Sequence, residues 1–299
     1  MTTTPAAPAV LRATRPLYWS VRRELWENKS IYVAPLAAAA VLLFGFAIRT
    51  ITLPRRLEAV LALETARPRA VVTTPFNVIA GLVFITAFVV AVFYCLDALH
   101  GERRDRSILF WKSLPVSDLT TVVSKLVVPL VVLPLVVFAI VLAAHLVILT
   151  LSTLVLLGHG PALAALWTHV KFIQMPVAMF YALTAISLWH APLYGWLLLV
   201  SGWARRSPFL WAVLPPIAIA VFERIAFGSA HFGRWLGYRM VGWFTQAFVP
   251  HVKGAEPLEP LAAMTPLKFL ATPGLWAGLL FAALLVFAAV RVRRYREPI

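Results

Sequence analysis

Charged residues are scarce in this chain of 299 residues. Asp, Glu, Lys and Arg together make up 13% of it, whereas soluble domains carry about 25%. Hydrophobic residues make up 61%. The composition therefore excludes an ordinary soluble protein and indicates an all-α integral membrane protein, because helices satisfy their own backbone groups in lipid.

Acidic residues are the scarcer of the two charge types. Asp and Glu number 12 against 27 Lys and Arg, which gives a formal net charge of +15. The basic residues stand at the ends of apolar runs rather than in one patch. This placement favours contact with an anionic lipid bilayer, and we expect no nucleic acid to bind.

Cysteine and the common catalytic motifs are almost absent. Cys95 is the single cysteine and lies in an apolar run, so the sequence excludes an internal disulfide and a cysteine metal site. It contains no G-x-x-x-x-G-K-[ST], H-E-x-x-H or G-x-S-x-G motif. We therefore predict that the chain is not an enzyme and holds no catalytic, cofactor-binding or metal-binding residue.

Long apolar runs are abundant, and six of them can cross a bilayer. The predicted spans are about 31–48, 76–99, 119–150, 172–203, 208–226 and 273–290. Residues 1–14 lack signal-peptide features and are predicted to be a disordered lead, and 15–299 a single transmembrane domain. The uncharged stretch 126–170 leaves open whether it holds one span or two.

Two segments outside the spans are predicted to lie along the membrane surface. Residues 15–30 resemble an amphipathic surface helix with apolar residues on one side and charged residues on the other; a plain basic segment beside the membrane fits the pattern equally well. The apolar side holds Leu17, Tyr18, Val21, Leu25 and Trp26, and the charged side holds Arg15, Arg22, Arg23, Glu24 and Lys29. The aromatic-rich connection 227–272, between spans 5 and 6, is predicted to form one or two short interfacial helices.

The densest charge lies in residues 101–118, between spans 2 and 3. A charge near the bilayer centre costs about 2.5–3.5 kcal/mol, so this segment must protrude. An ordinary cytoplasmic loop with a positive-inside bias needs arginines alone. The carboxylates of Glu102 and Asp105 and the run Ile108-Leu-Phe-Trp111 indicate a docking surface instead.

Basic residues in short loops predict the orientation. Arg205 and Arg206 occupy a tight turn between spans 4 and 5, which places that turn in the cytoplasm. Six spans then put both termini in the cytoplasm. The first outer connection, 49–76, does not fit this pattern, since it contains Arg49, Arg55, Arg56, Arg67 and Arg69.

Four ionisable residues fall within the spans and are candidates for a path or gate: His145, His190, Glu223 and Arg224. Single histidines in such places are more often neutral and hydrogen-bonded between helices. Glu223 and Arg224 point to different faces of a helix, so each needs its own partner.

The pattern as a whole resembles the membrane permease subunits of ABC transporters of the type-2 exporter class. The likeness rests on a surface helix before span 1, a charged segment between spans 2 and 3, and a long connection between spans 5 and 6. Its most specific part is Gly101-Glu-Arg-Arg-Asp-Arg-Ser107 followed by Trp111-Lys-Ser-Leu-Pro-Val-Ser-Asp118.

The resemblance implies that 101–118 is a cytoplasmic coupling helix that seats on a separate ATPase subunit. The implied contacts are Glu102, Arg103, Arg104, Asp105, Arg106, Ser107 and Trp111. Residues 15–29 would be a connecting helix and 228–270 re-entrant outer helices. The family further implies a homodimer or heterodimer in a bacterial cytoplasmic membrane, with ATP and magnesium on the partner. A non-transporting membrane anchor or regulatory subunit is the alternative.

Overall fold

The computed structural model describes residues 16–62, 67–113, 116–249 and 259–295. The predicted lead 1–14 lies outside them, as do Leu114 and Pro115 of the charged segment. The described residues are 87% helical and contain no β-strand. The predicted all-α fold class is confirmed at this level.

Fourteen helices are found in the described part of the chain. They are α1 (Pro16–Glu27), α2 (Ser30–Thr50), α3 (Leu53–Leu61), α4 (Arg67–Ala98), α5 (His100–Arg104), α6 (Ser107–Ser113), α7 (Asp118–Val127), α8 (Leu133–Val155), α9 (Gly160–His169), α10 (Gln174–Trp203), α11 (Pro208–Phe227), α12 (His231–Ala247), α13 (Pro266–Ala271) and α14 (Pro273–Tyr295).

Six helical segments of the described chain are long and apolar enough to cross a membrane, which makes this a multi-pass membrane protein. Each predicted span falls on one of them. The segment after α6 is a single span, Asp118–Val155, in which the π-helical turn Val128–Val132 joins α7 to α8. Pro129 removes a backbone donor there, which accounts for the break in α-helical geometry. Because α9 has only ten residues, it is too short to cross by itself.

The spanning helices pack in two groups. Helix α2 contacts α4 and α8, while α10 lies along α14 and also contacts α4. At Gly195 of α10 an added Cβ would lie 3.2 Å from the Cβ of Leu285 on α14. Small residues let membrane helices approach closely, so Gly195 sets the spacing of this pair.

Helix α1 packs against α7 rather than standing apart on a surface. Glu24 is its buried residue, whereas Tyr18, Trp19 and Trp26 are exposed. An amphipathic surface helix would keep its carboxylates in water. In this structure Glu24, on the charged side of α1, is buried instead, because its carboxylate contacts cationic side chains inside the protein.

The connection between α11 and α14 holds two helices, α12 and α13. The side chain of Glu223, near the end of α11, accepts hydrogen bonds from the Phe232 and His231 backbone N–H groups, at 2.8 and 2.7 Å. These are two of the free donors at the start of α12. Residues 250–258 of the connection lie outside the described residues.

Candidate functional site

The charged segment folds into two short helices, α5 and α6, that turn back on each other at Arg106. Arg106 has a φ of 58°, in the left-handed region that non-glycine residues rarely adopt. Ser117 then caps α7 by accepting a hydrogen bond from the Thr120 N–H at 3.1 Å.

Helix α5 is anchored to the end of α10. The guanidinium of Arg103 donates hydrogen bonds to the carbonyls of Gly202, at 2.7 Å, and Ala204, at 3.1 Å. The Ser201 hydroxyl accepts the backbone N–H groups of Leu99 and His100 at 3.0 and 2.9 Å. The backbone N–H groups that are left unpaired where α4 meets α5 therefore donate their hydrogen bonds to a side chain of α10.

Below α5 lies a buried ion network that joins α1, α5, α7 and α14. Lys125 Nζ contacts Glu24 Oε1 at 2.8 Å and Glu102 Oε1 at 3.1 Å. Tyr94 donates its hydroxyl to Glu24 Oε2 at 2.8 Å. The Lys125 and Glu24 side chains are only 3% and 1% exposed, so neither charge is screened by water.

Two arginines complete the buried ion network. Arg23 Nη2 lies 2.7 Å from Glu24 Oε1 and 3.4 Å from Glu102 Oε1. Arg293 Nη2 lies 3.2 Å from Glu102 Oε2, without hydrogen-bond geometry, and its Nη1 lies 3.6 Å from Asp118. Lys125, Arg23 and Arg293 thus face the carboxylates of Glu24, Glu102 and Asp118, and Arg23 also lies 3.7 Å from the half-exposed Glu27.

The network shifts the pKa values of its members on α1. Burial alone would raise the pKa of the Glu24 carboxyl, but the charge of Lys125 and the hydrogen bonds from Lys125 and Arg23 outweigh it and lower the pKa. Burial would lower the pKa of Arg23, but hydrogen bonding to Glu24 and the nearby carboxylates raise it. Both groups therefore stay ionised at neutral pH.

The opposite side of α5 and α6 is exposed and combines cations with apolar side chains. We call it the α5–α6 surface; it comprises Arg104, Asp105, Arg106, Leu109, Phe110 and Lys112. Leu109 and Phe110 are each 59% exposed. Aromatic residues and arginine are enriched at protein interfaces.

The predicted ATPase contacts divide between these two sides. Arg104, Asp105 and Arg106 lie on the α5–α6 surface. Glu102 and Arg103 are 9% and 3% exposed and face inward. In this conformation their side chains hold α5 in position and are not accessible to a partner. Their contact with an ATPase subunit remains a prediction.

The remaining two predicted contacts are partly buried. The Ser107 hydroxyl donates a weak hydrogen bond, 3.4 Å long, to the Glu102 carbonyl. Trp111 stacks under Arg23, whose guanidinium carbon lies 3.9 Å from the ring centre. Trp111 therefore links α6 to α1.

The four candidate path residues do not come together. His145 Nε2 pairs with the Phe76 carbonyl of α4 at 3.1 Å, and His190 Nε2 pairs with the Met240 carbonyl of α12 at 3.1 Å. Both contacts join two helices, which supports the structural interpretation of these histidines. Glu223 holds the start of α12, and Arg224 is exposed.

Glu24, Lys125 and Arg293 are the residues that sequence reasoning missed. One feature of the sequence could have indicated that Lys125 is buried. It is the last charged residue before a long uncharged stretch, and it lies beyond the polar residues at the start of its helix. Nothing in the sequence pairs it with Glu24, 101 residues away. Among the described residues, no group of three or more His, Cys, Asp or Glu side chains is placed to hold a metal ion.

Comparisons with known proteins do not assign a family. No family model, no curated protein and no solved structure matches this chain.

Proposed function

We propose that the chain is the membrane-spanning permease subunit of an ATP-driven ABC exporter of the type-2 class. In this proposal it lies in a bacterial cytoplasmic membrane, with both termini and the α5–α6 surface in the cytoplasm, and works as a homodimer or heterodimer. A separate ATPase subunit carries ATP and magnesium and docks on the α5–α6 surface.

One observation carries the proposal: α5 and α6 are exposed on one side and bonded to four spanning segments on the other. Arg103 ties α5 to α10, and the buried ion network ties it to α7 and α14. Helix α5 also continues directly from α4.

This connectivity suits the transmission of force. A push on Arg104 would be passed on to the spanning helices, because the inner side of α5 is held by charge contacts that are costly to separate. Coupling between sites travels through such contiguous networks when they have two arrangements. The proposed mechanism is that closure of the ATPase tilts α4, α7, α10 and α14 together through α5.

Affinity purification of the tagged full chain in mild detergent tests the proposal. We expect a separate protein that hydrolyses ATP to co-purify in a fixed ratio with the chain, and mass spectrometry to identify an ATP-binding subunit. Recovery of the chain alone, with and without added ATP, would contradict the permease assignment and favour a membrane anchor or regulatory subunit.

A further inference from the structure

One side of α1 is exposed and rich in aromatic residues. Tyr18, Trp19 and Trp26 are 55%, 55% and 63% exposed. Each of them lies three or four residues from the exposed Arg22, so the four side chains share one side of the helix. We call this side the α1 face; it comprises Tyr18, Trp19, Arg22 and Trp26. The buried Glu24 lies on another side of the same helix.

Arg22 is held by two indole rings. Its guanidinium carbon lies 5.3 Å from the centre of the Trp19 ring and 4.7 Å from the centre of the Trp26 ring. Both distances fall within the range of cation–π attraction. In the described part of the chain no carboxylate or carbonyl accepts a hydrogen bond from Arg22. The N–H donors of this exposed guanidinium are therefore open to an external acceptor.

The next residue of α1 has a different environment. Arg23 donates to the Glu24 carboxylate at 2.7 Å and to the Glu102 carboxylate at 3.4 Å. Its donors are directed into the buried ion network, whereas those of Arg22 are directed away from it. Two adjacent arginines thus separate an inner anchor from an outer cation.

Contacts of α1 place the α1 face at the level where the spans end. Backbone hydrogen bonds continue from α1 into α2, the first span, since the Ile31 N–H donates to the Asn28 carbonyl at 3.1 Å. The Tyr94 hydroxyl, which bonds Glu24 of α1 at 2.8 Å, belongs to a residue four positions before α4 ends. Phospholipid headgroups surround a membrane protein at this level, where Trp and Tyr are enriched.

The chemistry of the α1 face fits an anionic phospholipid. The planar guanidinium of Arg22 can donate two parallel hydrogen bonds to a phosphate. Each Lys or Arg near a membrane surface attracts anionic lipids, and the chain carries a formal net charge of +15. A zwitterionic lipid fits less well, because its own cation already neutralises its phosphate.

We propose that the α1 face binds the headgroup of an anionic phospholipid in the leaflet on the α5–α6 side of the membrane. The N–H groups of Arg22 would hold the phosphate, and the indoles of Trp19 and Trp26 would hold the guanidinium. This side differs from the apolar side that the sequence predicts, since Leu25 packs against the hydrophobic core instead. The proposal needs no ATPase partner, so it and the permease proposal can fail separately.

Native mass spectrometry of the purified full chain, released from a neutral detergent, tests this proposal because it resolves each bound lipid by mass. The two probes are dioleoyl phosphatidylglycerol, which is anionic, and dioleoyl phosphatidylcholine, which has the same acyl chains and no net charge. We expect the first phosphatidylglycerol to bind about fivefold more tightly than phosphatidylcholine, the effect of one arginine near an anionic lipid.

Arg22→Gln removes the charge and keeps hydrogen-bond donors. It should weaken phosphatidylglycerol binding by about fivefold and leave phosphatidylcholine binding unchanged. The matched control is Arg205→Gln, which removes an exposed arginine next to Ala204, at the end of the bundle that contacts α5, and should change neither. Trp19→Leu with Trp26→Leu keeps the charge but releases the guanidinium, so it should also weaken phosphatidylglycerol binding. Thermal unfolding checks that each variant is folded.

Three results would overturn the proposal. The first is equal binding of phosphatidylglycerol to the parent chain and to folded Arg22→Gln. The second is an equal loss in Arg205→Gln, which would show a general effect of charge and no site on α1. The third is unchanged lipid binding by Arg22→Gln together with loss of a co-purifying ATPase, which would assign the α1 face to a protein partner.

Discussion

Replacement of Lys125 by methionine is expected to lower the free energy of unfolding by about 3–5 kcal/mol, the cost of removing one partner from a buried ion pair. Methionine fills a similar volume but leaves Glu24 and Glu102 with one cation fewer. Both carboxylates are buried, so water cannot replace the lost charge. Unfolding in mixed micelles, followed by tryptophan fluorescence, measures the change.

Two further variants separate burial from charge. Lys112→Met removes an exposed lysine from the neighbouring helix α6 and should change the unfolding free energy by less than about 0.5 kcal/mol. Adding Glu24→Gln to Lys125→Met restores the charge balance and should recover part of the loss. If Lys125→Met were no more harmful than Lys112→Met, the buried ion network would not hold α1, α5 and α7 together.

If the proposed ATPase subunit docks on the α5–α6 surface, charge reversal there is expected to detach it while the chain stays folded. Arg104→Glu combined with Arg106→Glu replaces two exposed cations by anions. Like charges across an interface oppose association strongly, so we expect at least about tenfold weaker binding of the ATPase. Co-purification at fixed salt, with the hydrolysis rate of the recovered complex, measures it.

The matched control reverses two other arginines at the same end of the helix bundle. Arg205 and Arg206 are exposed in the turn between α10 and α11, and Arg205→Glu with Arg206→Glu makes the same change in net charge. This control should leave association largely intact. Equal loss in both double variants would show a general effect of charge and would remove the α5–α6 surface from the proposed interface.

The membrane helices could be predicted from the sequence because length and hydropathy suffice for that purpose. The fifth predicted span, 208–226, differs from α11 by one residue at its end, since Pro208 and Gly228 mark its boundaries. The second was predicted from residue 76, but α4 begins at Arg67. Pro68 stands in the first turn of α4, where proline is tolerated, and the helix continues through Pro75 in its interior.

The buried ion network could not be predicted from the sequence. A helical pattern shows that Glu24 shares a side with Arg23, but not whether that side faces water or protein. The answer depends on Lys125 of α7, which lies 2.8 Å from Glu24 and 3.1 Å from Glu102 only because α1 and α5 pack around it. The burial of Glu102 and Arg103 could not be predicted from the sequence for the same reason.

Labelling of Arg104→Cys by a membrane-impermeant thiol reagent tests the central claim most directly. The native Cys95 is fully buried, so the introduced thiol is the one expected to react. The account predicts labelling from the cytosolic side alone, in inside-out vesicles and not in intact cells, and protection when the ATPase subunit is bound. Labelling in intact cells would contradict it, because no cytosolic ATPase could then reach α5.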